Sequence, residues 1–532
     1  MKYIHVKMKC WALMLFAATM LIGLNSCKKK LDAEFLNPDG FTDPNIEGFL
    51  TQLQQTLGIF RYDYGEMYHT FAAFNPRLGS GGFANAGDIT DPSWGTNPYS
   101  NLYGRLRVIH YMEDAYAALP EDQKQDYQIF MLSSRIIKNY LFYHLADIYN
   151  SVPYKDALQA FDGNFFPKFD PQQEIYTGML ADLKEVATSL SGYQLSTSVA
   201  HQAFRTQDVW FGGNVTTWRT FANSLRMRLA MRLSVAQPDA AKAAIQELLA
   251  DGQYAKDRES SITHVDRQPD RALEYLVFRS MVEQRGVMWM PENMYKILKP
   301  TGMPEDPRLK VLFQPDRNGN YSPMPTEGND VDAIRSQITN TDLTATFPSL
   351  YNRTTFETNY KFPYQIITSS EISLILAESA LRWPDINISA VDEYKKAIQH
   401  SIDIYYEANA LNTSNYAGKI PASSVTKPSQ ATIDIFLAAK ATEFTAANAD
   451  GKKALIYDQK YVHFNMMKPY ELWADTRRLY KELGTRVKKS PSNYVFMERM
   501  IYPGSEELNN RENYNAVRSQ NNFTSPIWWT GR

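Results

Sequence analysis

The chain is poor in cysteine, with only Cys10 and Cys27 among its 532 residues. Cys10 lies in an N-terminal segment that we expect to be removed, and Cys27 lies at the expected cleavage point. Neither a disulfide framework nor a cysteine-based metal site is therefore available. Stability has to come from buried apolar surface, and a chain of this length can form one large domain or two to three smaller ones.

Sequence signatures of the common catalytic classes are also absent. The chain has no Gly-x-Ser-x-Gly nucleophile elbow, no His-Glu-x-x-His metal motif and no phosphate loop ending in Gly-Lys-Ser or Gly-Lys-Thr. Its eight histidines are scattered without metal-ligand spacing. Sequence signatures of catalysis are therefore few. Glycoside hydrolysis stays open, because its two carboxylates converge in space and need no fixed spacing along the chain.

Long hydrophobic runs are missing after Leu36, whereas the N-terminus carries a short one. Three lysines precede an apolar run from Trp11 to Leu24, which is shorter than the roughly 20 residues of a membrane span. Residues 1–26 are therefore predicted to be an export signal. The alternatives are an uncleaved anchor helix and a buried N-terminal helix, and the charged run Lys28-Lys29-Lys30 argues against both.

The segment from Leu21 to Cys27 resembles the lipobox of bacterial lipoproteins. We expect cleavage before Cys27 and acylation of its sulfur by fatty acids such as palmitate, and two or more acyl chains hold a protein stably on a membrane. Because the signal carries three lysines and no acidic residue, its removal changes the formal net charge from −2 to −5. This mild acidity argues against nucleic acid or anionic lipid as a partner.

Aromatic residues are abundant, with 33 Tyr, 27 Phe and 9 Trp. In the region of about 63–103 they alternate with Gly, Asn and Pro, which predicts a structured loop. Trp94 and Tyr99 offer flat apolar rings, while Asn97 and Asn101 offer amides that can bridge hydroxyl groups. A sugar ring needs both kinds of contact, so we predict a ligand site here. The alternative, that Trp94 anchors a packed loop, is equally open.

A second wall of this site is predicted at Trp289 and Tyr295, inside an irregular region of about 256–366 that is rich in Pro, Asn, Asp and Thr. The neighbouring Met288, Met290 and Met294 indicate core packing as the alternative role of these two aromatic residues. Three further residues, Arg77, Phe83 and Asn85, are candidates for additional contacts with the ligand.

Most of the remaining chain shows apolar residues at helical spacing. The predicted helices cover 45–62, 101–118, 121–149, 172–190, 215–235, 239–250, 370–383, 389–409, 429–447 and 452–483. Two of the pairs, at 215–250 and 370–409, consist of a helix, a short turn and a second helix. Small residues at their crossings favour close packing, as in degenerate tetratricopeptide units. We therefore predict a mainly α fold of such helix pairs, in an α-α superhelix, with a few short strands possible near 360–366.

Charged residues in the predicted helices favour structural roles. Asp475 and Arg478 lie one turn apart beside Trp473 and Arg477, and this spacing indicates an ion pair or a helix cap. The same interpretation applies to three arginines on an otherwise apolar helix, Arg226, Arg228 and Arg232.

The segment that starts at Asp316 has oxygen-bearing residues at the spacing of a calcium loop, with Glu327 at its twelfth position. Tyr321 occupies the position that requires glycine, and two prolines constrain the rest. We therefore predict an Asn-Gly turn at Asn318-Gly319, with a bound calcium ion near Asp316 as the alternative.

Several motifs are distributed in a fixed order along the mature chain: Tyr143 to Tyr154, Glu174 to Leu183, Trp218 with Asn223 to Ala230, Asp306 to Leu309, Glu371 to Glu378, Gln459 to Tyr461, Glu471 to Arg478, Arg499 to Pro503, and Trp528-Trp529. Together with the lipobox they resemble the SusD/RagB family of outer-membrane nutrient-binding lipoproteins, and more closely its SusD-like, starch-binding-associating subgroup.

The resemblance implies a single domain over 27–532, with four tetratricopeptide-like helix pairs supporting a loop-rich ligand-binding half. It also implies a non-enzymatic protein without cofactors, which binds oligosaccharides and passes them to a SusC-like TonB-dependent transporter. Such a protein would be lipid-anchored in the outer membrane and face the extracellular side. Family members often carry acidic residues just after the lipidated cysteine, whereas this chain has Lys28-Lys29-Lys30, so the side of the membrane is less firmly implied than the attachment.

Three alternative functions remain at this point. A RagB-like protein would bind peptides, an α-helical carbohydrate-active hydrolase would cleave its ligand, and a periplasmic tetratricopeptide adapter would bind another protein.

Overall fold

The computed structural model describes residues 45–57, 78–79, 82–83, 93–264, 289–325, 348–356, 358–359, 361–412, 425–487 and 496–532. Packing divides the chain into two units, Met1–Ile46 and Glu47–Arg532. Only Asn45 and Ile46 of the first unit are described, so the predicted signal and Cys27 lie outside the described residues. None of the helices in the described ranges combines the length and apolar composition that a membrane span requires.

Helices dominate the described residues, and short ones flank the long ones. In chain order they are α1 Ile46–Leu57, α2 Ser93–Ala117, α3 Glu121–Tyr149, α4 Gln172–Leu190, α5 Val199–Gln207, α6 Val215–Arg232, α7 Pro238–Asp251, α8 Glu292–Leu298, α9 Leu309–Leu312, α10 Ser369–Arg382, α11 Ala390–Ala410, α12 Gln430–Ala446, α13 Ala449–Phe464, α14 Pro469–Leu483, α15 Gly504–Asn509 and α16 Arg511–Asn515. The predicted mainly α fold of tetratricopeptide-like pairs is confirmed, and neighbouring long helices such as α2 and α3, α4 and α6, and α10 and α11 pack together.

Local sequence signals explain where these helices begin and end. The side chains of Asn214, Thr368 and Ser389 each accept a hydrogen bond from a backbone N–H in the first turn of α6, α10 and α11. Gly252 ends α7 in the left-handed conformation that glycine adopts without strain. The predicted bounds of α3 and α4 agree with the structure, and the predicted pairs at 215–250 and 370–409 are confirmed within a few residues.

Two helix predictions were wrong. The region predicted as loop up to 103 becomes helical at Ser93, and α2 accommodates Pro98 inside the helix at the loss of one backbone N–H donor. The single helix predicted over 452–483 is instead two helices, α13 and α14. Asn465 between them has a φ of +32°, and Pro469 occupies the first turn of α14, so the backbone cannot continue as one helix.

The strands among the described residues are short and form two antiparallel pairs. Strand β1, Leu78–Gly79, pairs with β2, Gly82–Phe83, and strand β3, Ile262–His264, pairs with β4, Tyr364–Ile367; both pairs are antiparallel. Strand β4 confirms the predicted strand near 360–366 with a shift of a few residues. Isolated bridges, including Trp289 with Leu350 and Phe313 with Tyr351, connect described segments of the irregular region.

A network of buried charges lies where α3, α6, α10, α13 and α14 meet. Arg228 donates to both carboxylate oxygens of Glu371, at 2.6 and 2.9 Å, and Arg478 donates to both oxygens of Glu378, at 2.6 and 2.7 Å. Arg478 also pairs with Asp475 at 3.0 Å. This confirms the predicted structural ion pair, and the contacts of Arg226 with Glu247 and of Arg232 with Glu471 extend the finding to the other helix.

Candidate functional site

The predicted ligand loop falls only partly on described residues. Arg77 and Asn85 lie outside them, and of Phe83 only the backbone, in β2, is described. Trp94 and Asn97 lie in the first turns of α2, but their side chains are not among the described ones. Asn101, one turn further along α2, is half-buried. The ligand role of these residues therefore stays a prediction.

The ring of Tyr99 packs inside the protein, which differs from the exposed stacking platform expected from the sequence. Its side chain is 7% exposed, and its ring meets those of Tyr103 at 4.8 Å and Tyr149 at 5.2 Å between centroids. Burial raises the pKa of Tyr99 well above its usual value, and Tyr103 and Glu506 raise it further. The Tyr99 side chain therefore packs the start of α2 against the core.

Trp289 and Tyr295 differ in how much of each side chain is exposed. Trp289 is 5% exposed, and the adjacent Met290 and Met294 are fully buried, which favours the core-packing alternative for this tryptophan. Tyr295, on α8, is half-buried and keeps part of its surface accessible. Of the predicted second wall, only Tyr295 therefore presents described surface to a ligand.

A series of aromatic ring contacts connects Tyr99 with the wall of a surface cleft. Tyr103 meets Phe142 edge-on at 6.5 Å, and Phe142 meets Tyr154 edge-on at 4.7 Å between centroids. The hydroxyl of Tyr103 donates to the carbonyl of Pro153 at 2.6 Å, which fixes the loop that carries Tyr154. The start of α2 and the ring of Tyr154 thus belong to one packed aromatic row.

The cleft at the end of this row has a volume of about 470 Å³ and lies among α2, α3, α4 and the loop of Tyr154. We call it the α3–α4 cleft. Its lining residues are Glu113, Arg135, Lys138, Asn139, Tyr154, Gly178, Ala181, Asp182 and Glu185. A volume of this size is within the range of small-molecule sites, roughly 300 to 1,000 Å³.

Sequence reasoning missed this cleft, although two signals for it exist. Arg135 and Lys138 are charged residues on the largely buried helix α3, and Gly178 is a glycine inside the amphipathic helix α4. A glycine within a helix often marks a close approach of another group. Here that group is Tyr154, because a Cβ at position 178 would lie 3.1 Å from the Tyr154 hydroxyl oxygen.

The segment at Asp316 forms a turn, and the Asp316 carboxylate accepts hydrogen bonds from protein groups within it. One carboxylate oxygen accepts hydrogen bonds from the backbone N–H groups of Asn318 and Asn320, at 2.8 and 3.0 Å, and the other accepts from the Ser322 hydroxyl at 2.6 Å. Gly319 has a φ of +80°. The predicted Asn-Gly turn is confirmed. Within the described ranges, no group of three or more His, Cys, Asp and Glu residues is arranged to hold a metal ion.

Paired helices around a buried charge network, with a polar cleft on their surface, define an α-helical protein of the tetratricopeptide-like class. Residues 60–503 match a SusD-like family described as "Starch-binding associating with outer membrane". The chain belongs to this SusD-like family, which confirms the resemblance read from its motifs.

Solved structures agree with this assignment at the level of the fold. A chitin-binding protein is 22% identical, with a TM-score of 0.67 over 92% of this chain and 100% of its own. A SusD/RagB family protein from Bacteroides thetaiotaomicron is 16% identical, with a TM-score of 0.70 over 91% and 99%. A chitin-binding SusD homolog from Flavobacterium johnsoniae is 18% identical, with a TM-score of 0.64 over 91% and 98%. No curated protein matches the chain.

Proposed function

We propose that this protein is an outer-membrane lipoprotein that binds oligosaccharides noncovalently and delivers them to a SusC-like TonB-dependent transporter. The observation that carries the proposal is the match to a starch-binding, outer-membrane-associated family over residues 60–503. Similar folds include two chitin-binding proteins, which supports carbohydrate as the class of ligand.

The proposed ligand site combines the start of α2 with the irregular half of the chain. Trp94 supplies a stacking face, Asn97, Asn101 and Arg77 supply hydrogen bonds, and Tyr295 supplies a second aromatic surface. Tyr99 and Trp289 are buried, so they contribute core packing and little ligand-facing surface. Binding would change no covalent bond, so the protein acts by capture and release.

Two buried carboxylates, those of Glu371 and Glu471, are unsuited to glycoside hydrolysis. Glu371 and Glu471 are both buried and hydrogen-bonded to arginines of α6. Burial raises the pKa of each carboxyl, but Arg228 with Lys468 for Glu371, and Arg228 with Arg232 for Glu471, outweigh burial and lower it. A hydrolytic pair needs one protonated acid that reaches the substrate, and these two groups are ionised and enclosed.

Calorimetric titration of the acylated chain in detergent with maltohexaose, chitohexaose and cellohexaose tests the proposed ligand class. We expect micromolar to millimolar binding of at least one sugar, no product formation, and a loss of at least tenfold in affinity on Trp94→Ala. Phe166→Ala is the matched control, because Phe166 is an aromatic residue that is 62% exposed in the loop before α4, away from α2 in the chain. Binding of peptides in place of sugars would favour the RagB-like alternative.

The proposed anchor is tested separately by labelling cells with radioactive palmitate. The wild-type chain should incorporate the label and fractionate with the outer membrane, whereas Cys27→Ser should do neither. Protease treatment of intact cells then distinguishes an extracellular from a periplasmic orientation, since a periplasmic chain is protected. An unlabelled wild-type chain in the soluble fraction would contradict the proposal.

A further inference from the structure

The α3–α4 cleft is built to stay open. Asp170 accepts hydrogen bonds from the backbone N–H groups of Tyr154 and Lys155, both at 2.9 Å, and so holds the loop that forms one wall. The ring of Tyr154 rests on Gly178 of α4, where any larger residue would crowd it. Ala181, one turn further along α4, is exposed at the rim. Small residues on α4 and a fixed aromatic wall therefore create the space.

The polar groups of the cleft form an ordered set of donors and acceptors. Arg135 donates from Nε to Asp182 at 2.9 Å and from Nη1 to Glu185 at 3.1 Å, and Lys138 donates to Glu113 at 2.7 Å. The buried amide of Asn139 donates to Arg135 carbonyl oxygen at 2.9 Å and to Asp182 at 2.5 Å. These side chains hold one another in place before any ligand arrives, which lowers the entropy cost of binding.

The charged side chains of the cleft are paired with one another but are not fully enclosed. Arg135, Lys138, Glu113 and Asp182 are each between 26% and 33% exposed, so both cationic donors and anionic acceptors remain accessible to a ligand. Burial lowers the pKa of Arg135, but the hydrogen bonds and charges of Asp182 and Glu185 outweigh burial and raise it. The guanidinium of Arg135 is therefore fully charged.

This arrangement fits a neutral polyhydroxyl ligand better than a charged or an apolar one. Three carboxylates face two cations, which disfavours phosphates and other anions. The carboxylates already have cationic partners, which disfavours a free cation. A sugar hydroxyl can accept from Arg135 or Lys138 and donate to a neighbouring carboxylate at the same time, while Tyr154 offers an apolar wall.

We propose that the α3–α4 cleft is a second saccharide-binding site, formed by helices of the tetratricopeptide-like half and separate from the site proposed at Trp94 and Tyr295. The proposal rests on the proposed oligosaccharide-binding function and adds a second position at which the same class of ligand is held. Two sites on one protein raise the effective concentration of a long glycan at the surface.

The test counts binding sites in the full acylated chain. Maltohexaose, chitohexaose, cellohexaose, xylohexaose and mannohexaose are titrated calorimetrically into the wild type, Ala181→Trp and Lys138→Ala. The tryptophan at position 181 would fill the cleft from its exposed rim, and Gln173→Trp is the matched control, because Gln173 is exposed on α4 but does not line the cleft. Thermal unfolding by circular dichroism verifies that each variant is folded.

We expect at least one sugar to bind the wild type and Gln173→Trp with two sites, and to bind Ala181→Trp with one. In Lys138→Ala the affinity of the second site should fall at least fivefold, while Trp94→Ala should leave the second site intact. Saccharide binding that neither Ala181→Trp nor Lys138→Ala changes would overturn the second site and leave the proposed function standing. No binding of any sugar by the wild type would overturn both. Binding of a neutral Ala-Gly hexapeptide that Ala181→Trp removes would overturn the saccharide assignment of the cleft.

Discussion

At the scale of single residues, the most demanding positions are charged groups with no access to water. Glu378 is 1% exposed and accepts hydrogen bonds from Arg478, from Arg382 at 2.8 Å and from Lys460 at 3.2 Å. Burial raises the pKa of its carboxyl, but Arg478, Lys460 and Arg382 outweigh burial and hold the pKa well below its usual value. A buried charge of this kind is tolerable only while its partners are present.

Glu378→Ala should therefore cost about 3 to 5 kcal/mol in the free energy of unfolding, because it leaves the buried cations Arg478 and Lys460 to share one carboxylate, that of Asp475, in place of two. Urea unfolding followed by circular dichroism measures this cost. Glu174→Ala is the control, since Glu174 is 51% exposed and pairs with Lys155, which is 60% exposed, on the surface, and it should cost no more than about 1 kcal/mol. Equal costs for the two variants would show that the buried network does not stabilise the fold.

At the scale of secondary-structure elements, the connections decide how the helices pair. The link between α5 and α6 contains Gly212 and Gly213, with φ values of +59° and +78°. Asp208 fixes this link: one of its carboxylate oxygens accepts from Gly213 N–H at 2.9 Å and from Trp218 Nε1 at 2.9 Å. The turn thereby places α6, which carries Arg228 and Arg232, against the core.

The two glycines differ in their surroundings, which gives a matched pair of substitutions. A Cβ at Gly213 would lie 2.9 Å from the Cα of Arg205, whereas a Cβ at Gly212 would meet no atom within 4 Å. Gly212→Ala should cost about 1 kcal/mol for the left-handed backbone alone, and Gly213→Ala at least 1 kcal/mol more, because the backbone of α5 must shift. Chemical unfolding of both variants measures the difference, and a cost for Gly212→Ala as large as that for Gly213→Ala would contradict the role of the close contact.

At the scale of the whole molecule, the sequence predicted periodic elements better than it predicted surfaces. The apolar spacing of α3 and α4 and the capping residues of α10 and α11 are local signals, so the helix bounds follow from them. The break at Asn465 depends on a positive φ that helical spacing does not reveal. The α3–α4 cleft depends on residues such as Arg135 and Asp182, which lie 47 positions apart and meet only after the helices pack.

Burial in this core also makes the stability of the molecule depend on pH. His463 is enclosed between the Thr368 hydroxyl, 2.6 Å from Nε2, and the Ser401 hydroxyl, 3.0 Å from Nδ1. Burial, reinforced by the positive charge of Lys468, lowers its pKa to about 3. The unfolded chain binds a proton at this residue below a pH of about 6.5, whereas the folded chain does not. Stability is therefore complete above that pH and is lost as the pH falls towards 3.

We expect the free energy of unfolding to fall by about 1.4 kcal/mol per pH unit for this one proton between pH 6 and 4, and His144, whose pKa burial also lowers, acts in the same direction. Urea unfolding at several pH values should give a shallower slope for His463→Gln than for the wild type, by about one proton. Ser401→Ala is the control, because it removes a hydrogen-bond partner of His463 but keeps the imidazole, so it should lower stability at every pH without changing the slope. An unchanged slope in His463→Gln would mean that this histidine is protonated in the folded protein, and that burial does not govern its charge.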